Sequence, residues 1–171
     1  MIIALNQFIS WSVDRCKSFF LLMNKWKGFE WTGECALVFQ QLKEYLSHPP
    51  IMSNSEVDEI LFAYIVVAAH AVSLVLIRVD SGIKRPVYYV SKSLHEVEVR
   101  YLPLEKTILT VVHGTQKLPH YFQAHTVVVL TQLPLKAIIR STYYTGRIAK
   151  WGTVLGAFDI KYISLKPHQK K

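Results

Sequence analysis

The groups in this sequence that could do chemistry are its thiols, imidazoles, hydroxyls, carboxylates and cations. Cys16 and Cys35 form no CxxC pair, so neither a zinc site nor a disulfide framework is indicated. Among seven histidines, His113 and His120 are spaced to share a helical face, yet Pro119 intervenes and no acidic residue is near. A structural or surface role is expected for them, and a structural one for His70 in its apolar turn. Ser91 and Ser93 stand near His95, but proximity in sequence makes no triad. GxSxG, HExxH and glycine-rich phosphate loops are absent. Cations remain. Lys84, Arg85, Lys92, Arg140, Arg147 and Lys150 lie near turns or in the C-terminal part, where they could hold phosphates. Such contacts ignore base sequence and weaken steeply with salt. Trp26, Trp31, Tyr88, Tyr89, Trp151 and Tyr162 could stack on bases. Their places within amphipathic segments point instead to core packing.

Charge distribution supports the phosphate reading. The net charge of the 171 residues is +8. Residues 1–58 hold five Lys/Arg against six Asp/Glu, and residues 59–171 hold fifteen against six. Clustered positive charge attracts polyanions, nucleic acid above all. A hydrophobic fraction of 51% allows a sizeable core. The longest apolar stretch, 65–77, is interrupted by His70 and Ser73 and is too short to span a membrane. The N-terminus lacks a basic signal-peptide region, so an intracellular place, cytoplasmic or nuclear, is expected.

The elements that must position these groups follow from periodicity. Apolar residues at helical spacing predict a helix over 5–23, with Leu5, Phe8, Ile9, Phe19 and Phe20. A second runs from its Thr32 N-cap to Leu46, with Ala36, Phe39, Leu42, Tyr45 and Leu46 on one stripe, ended by Pro49 and Pro50. Residues 51–58 form a linker. Runs of β-branched and aromatic residues then predict strands over 60–68, 72–80 and 84–93, the last two joined by an Asp80-Ser81-Gly82 turn. A helix over 99–118, with Pro103 in its first turn, precedes a strand over 125–131. Helices over 134–140 and 146–158 precede a strand over 159–165. The order β-β-β-α-β-α-α-β predicts an α/β fold, a mixed sheet with helices packed on it.

That order is the one of the ribonuclease H-like fold, and several segments carry a closer likeness. FEWTGECALVFQQLKEYL resembles the segment joining polymerase to nuclease in gypsy-type retrotransposons. RPVYYVSKSLHEVEVRYLPLEK, LPHYFQAHTVVVLT and GRIAKWGTVLGAFDIKY resemble later segments of that family, in the same order. ALNQFISWSVDRCKSFF is similar to the last helix of the polymerase portion. AHAVSLVLIR and KRPVYYVSKSL are most like plant elements of the group. The resemblance implies a Pol polyprotein fragment: a remnant of the reverse transcriptase thumb or connection over 1–58, and a ribonuclease H-like domain, truncated at its C-terminus, over 59–171. It implies cleavage of RNA in an RNA–DNA hybrid, and other Pol-derived chains as partners. The palm and its paired aspartates are absent.

Family members hold two Mg²⁺ ions, roughly 4 Å apart, on converging carboxylates. The resemblance aligns those carboxylates with Val66, Thr107 and Gln132. Glu105 persists two residues before Thr107, about 200° around the helix. No acidic residue occurs between Ile60 and Val79, and none follows Asp159. The expectation is a degenerate domain without nuclease or polymerase activity and without a metal, retaining weak nucleic-acid binding. An active ribonuclease H and a domesticated protein-interaction module are the competing readings.

Overall fold

The computed structural model describes residues 31–47, 52–140 and 146–165. The expected helix over 5–23, Cys16, Trp26, Pro49, Pro50 and the tail lysines Lys166, Lys170 and Lys171 lie outside them. In chain order the elements are α1 (Gly33–Ser47), β1 (Leu61–Val67), β2 (Ala71–Asp80), β3 (Ile83–Ser93), α2 (Glu96–Val99), α3 (Pro103–Lys117), α4 (Pro119–Ala124), β4 (Val127–Thr131), α5 (Leu135–Arg140), α6 (Arg147–Leu155) and β5 (Ile160–Ser164).

The strands form one sheet in the order β3-β2-β1-β4-β5. β1 and β2 pair antiparallel, as do β2 and β3, while β1–β4 and β4–β5 are parallel. Short turns suffice for the antiparallel joins. Parallel joins need helical crossovers, and α2–α4 and α5–α6 supply them. The β2–β3 turn is tight because Ser81 and Gly82 both take positive φ, 51° and 82°, which matches the twist of the flanking strands.

Alternation along the strands sets one helix-facing side. Leu61 and Ala63 of β1, Leu74 and Leu76 of β2, and Val127 and Val129 of β4 pack there with Ile108, Val111 and Val112 of α3, Phe122 of α4 and Leu155 of α6. Each fully buried large side chain contributes about 1.5–3 kcal/mol. Close approach of α3 to the sheet depends on Gly114. A Cβ there would stand 3.1 Å from Leu74 Cδ1 and 3.5 Å from the Phe122 ring.

Three local expectations are corrected. The single helix over 99–118 is divided into α2 and α3, and α4 follows as a separate helix that the periodicity did not reveal. Leu118 adopts φ −124° and ψ 48°, so the chain leaves the helical path before Pro119 restarts it as the first residue of α4. His113 and His120 therefore sit on different helices. On α1, Phe39 and Ala36 are exposed while Cys35 and Leu42 are buried and Val38 and Tyr45 half-buried, so the inward stripe is 35-38-42-45. Thr32 does stand at the helix start: its Oγ1 accepts the Cys35 N–H at 3.4 Å.

The linker is anchored. The Arg78 guanidinium reaches Glu59 at 2.9 Å, Glu56 at 2.5 Å and the Asn54 carbonyl at 3.1 Å. The Ser53 N–H donates to the Pro86 carbonyl of β3. Among the described residues no helix is long and apolar enough to cross a membrane.

Replacing Gly114 by Val is expected to cost about 1–3 kcal/mol by overpacking against Leu74. Adding Leu74→Ala should recover part of that loss, measured as non-additivity in urea denaturation. Additive losses would mean that α3 does not press on β2 at this point.

Candidate functional site

The C-terminal ends of β1 and β4, the start of β2 and the end of β3 share one pole of the sheet, as the registers Val67↔Val72 and Ala71↔Ser93 and the parallel β1–β4 pairing require. Val66 lies on β1 opposite Ser73. Alternation turns it away from the helical side, to which Ile65 and Val67 contribute. Gln132 is exposed just past β4. Thr107 is buried in α3, and its Oγ1 donates to the Pro103 carbonyl at 2.8 Å. The fold thus sets Val66 and Gln132 at one end of neighbouring strands, while Thr107 lies on the other side of the sheet from Val66.

The carboxylates at this pole are engaged by the chain itself. Glu105 accepts the Leu102 N–H at 3.0 Å, capping α3, and meets Arg147 Nη1 at 3.3 Å. Glu98 accepts the His95 N–H at 2.9 Å and the Lys92 ammonium. Burial raises the Glu98 pKa, but those two partners outweigh it and hold the carboxyl below its usual range. The buried Lys106 donates from Nζ to the Ala69 carbonyl in the β1–β2 turn at 3.0 Å. Among the described residues no three His, Cys, Asp or Glu side chains converge. A pair of Mg²⁺ ions needs several oxygen ligands with negative charge, and the residues present do not fit one.

The cations singled out from sequence do not form one patch. Lys92 and Arg147 are at the pole just described, both paired with glutamates. Arg147 also lies over the Tyr101 ring at 4.0 Å and 5.9 Å from the Trp151 ring, binding α6 to the start of α3. Lys150 is exposed one turn further along α6. Lys84 and Arg85 lie at the opposite pole, beside the β2–β3 turn. Lys84 Nζ donates to Tyr64 Oη at 2.8 Å and Arg85 Nε is 3.8 Å from Asp80. Arg140 ends α5, and its side chain is outside the described residues. Sequence reasoning missed Lys106 and Arg78, because a lysine and an arginine in amphipathic elements carry no mark of the carbonyls and carboxylates that tertiary contact brings to them.

Residues 31–129, more than half of the chain, match the family described as an RNase H-like domain found in reverse transcriptase. The chain belongs to that family. It is 27% identical over 95 residues to the retrovirus-related Pol polyprotein from transposon opus of Drosophila melanogaster, covering 54% of this chain and 10% of the polyprotein. A foamy viral protease-reverse transcriptase (dRH) in complex with double-stranded DNA superposes over 99% of this chain and 31% of its own, with a TM-score of 0.79 and 15% identity. A foamy viral protease-reverse transcriptase in complex with an RNA/DNA hybrid gives 0.77 and 16%, over 99% of this chain and 24% of its own. The RNase H-like domain thus spans a small part of the relatives it matches.

Within this RNase H-like domain one imidazole is held away from its ordinary state. Half-buried His113 of α3 faces Ser91 and Lys92 of β3, Lys117 of its own helix and Glu98 of α2. Burial first, then Lys117 and Lys92, lower its pKa from 6.5 to about 4. Below the unfolded-state value the unfolded chain therefore binds more protons, so stability falls as pH drops from about 6.5 towards 4. Loss of the Glu98 interaction adds to this at still lower pH, as the carboxyl is protonated. Thermal melts from pH 7.5 to 4 should show a falling midpoint, and His113→Gln should remove the part above pH 4.5. An unchanged slope in that variant would remove His113 from the account.

Proposed function

We propose that this chain is a catalytically silent ribonuclease H-like piece of a retroelement Pol polyprotein that contacts nucleic acid weakly through its cations. The observation that carries the proposal is the chemistry of the sheet pole: Val66, Thr107 and Gln132 offer no carboxylate, and Glu98 and Glu105 are already paired with Lys92 and Arg147. Nothing there can offset two divalent cations or activate a water between them.

The segments AHAVSLVLIR and KRPVYYVSKSL support a gypsy-type, plant-like origin. The division into a reverse transcriptase remnant over 1–58 and a ribonuclease H-like domain over 59–171 belongs to the same proposal. Nucleic-acid contact is supported by the charge of residues 59–171 and by the duplexes bound in the foamy viral structures. Lys84 and Arg85 at one pole, and Lys150 with the partly exposed Arg147 at the other, are the groups proposed for phosphate contact. Other Pol-derived chains are proposed partners.

The test is incubation of the purified chain with a labelled RNA–DNA hybrid and Mg²⁺ or Mn²⁺, with binding of the same hybrid followed across salt concentrations. No cleavage is expected. Binding should fall with salt with a log–log slope of roughly −2 to −4, as for two to four phosphate contacts. Lys84→Gln with Arg85→Gln should flatten that slope. Metal-dependent cutting, absent from a mock preparation, would overturn the proposal.

A further inference from the structure

Of the two paired cations at the sheet pole, Arg147 is the one that solvent reaches. Its side chain is 44% exposed and that of its partner Glu105 21%, whereas Lys92 and Glu98 are at 18% and 16%. Opening an enclosed pair strands a charge away from water, so Lys92 and Glu98 stay together. A pair in contact with water is weak, and its members can be exchanged for an outside ion. We propose that Glu105 is a positioning residue that restrains nucleic-acid contact by Arg147: it holds the guanidinium against the protein and competes with a phosphate for it. This rests on the nucleic-acid contact proposed above and concerns its control.

Three contacts make the restraint. Glu105 lies in the first turn of α3, where Oε2 accepts the Leu102 N–H at 3.0 Å and Oε1 meets Arg147 Nη1 at 3.3 Å. Its own helix therefore keeps the carboxylate in place whichever anion the guanidinium meets. The guanidinium carbon stands 4.0 Å from the centroid of the Tyr101 ring, which covers one face of the group. Tyr101 is itself tilted against Trp151 of α6, with 6.1 Å between centroids. Arg147 is thus oriented by a ring and by a fixed carboxylate. A phosphate gripped end-on needs Nη1 and Nη2 together, and Glu105 holds Nη1. Charge acts in the same direction. The pair presents no net charge to a polyanion, while the counterion release that drives binding grows with each cation that meets a phosphate.

The experiment measures binding of the labelled RNA–DNA hybrid by the full chain as wild type, Glu105→Gln, Arg147→Gln and the double variant, each across salt concentrations. Glutamine keeps an oxygen for the Leu102 N–H, so the start of α3 stays capped, and thermal melts establish that each variant folds. Glu105→Gln should bind about three- to tenfold more tightly at low salt. Its log–log salt slope should be steeper by roughly 0.9, the release expected for one more phosphate contact. In the Arg147→Gln background the same change should have little effect, because the group that Glu105 restrains is gone.

Unchanged or weaker binding by Glu105→Gln would overturn the proposal. So would an equal gain in the Arg147→Gln background, since Glu105 would then act as a repelling charge that does not use Arg147. Hybrid binding by the wild type without any gain in Glu105→Gln removes the restraint alone and leaves the nucleic-acid contact standing. No hybrid binding by wild type and Glu105→Gln alike overturns both.

Discussion

β1 is paired on both sides, antiparallel to β2 and parallel to β4, and buried on one face beneath α3. The rest of the described structure depends on that burial. A strand with a parallel neighbour cannot be closed by a tight turn, so the chain must leave the sheet and return through helices. Those helices lie over Leu61 and Ala63, which are fully enclosed by Ile108, Val111 and Phe122. The same geometry brings the end of β1, the start of α3 and the loop after β4 near one pole. That pole is where the chemistry of an RNase H-like domain would be looked for.

At that pole the chain meets its own electrostatic requirements. Lys92 faces Glu98, Arg147 faces Glu105 and the Tyr101 ring, and Lys106 reaches the Ala69 carbonyl. A buried charge without partners costs several kcal/mol. These contacts therefore matter first as satisfaction of half-buried groups. Of the carboxylates described at this pole, Glu98 is held by Lys92, and Glu105 by Arg147 and the start of α3. The Arg147–Glu105 pairing also joins α6 to α3, elements distant in sequence.

Several features were legible in the residues themselves. The strands over 60–68, 72–80 and 84–93 follow from continuous β-branched and aromatic runs, and the β2–β3 turn from Asp80-Ser81-Gly82. The mixed order of strands follows from short links between the first three and helical lengths before the last two. Absence of acidic residues from Ile60 to Val79 could be read without any structure. The helix end at Leu118, just before Pro119, was legible, but the division of α2 from α3 and the separate short helix α4 were not, because apolar residues continue across both. Nor was the inward stripe of α1, since Cys35 and Phe39 can both be placed on an apolar face.

By itself, the sequence determined the fold class, the order of elements along the chain and the non-acidic identity of Val66, Thr107 and Gln132, because alternation, helical spacing and residue identity are local properties. Tertiary structure decided which cations are occupied and which are available. It paired Lys92 with Glu98, Arg147 with Glu105 and Lys106 with the Ala69 carbonyl, and divided the basic residues between two poles. Those outcomes depend on which elements the burial of β1 brings together, and no local pattern encodes the distance between side chains far apart in the chain.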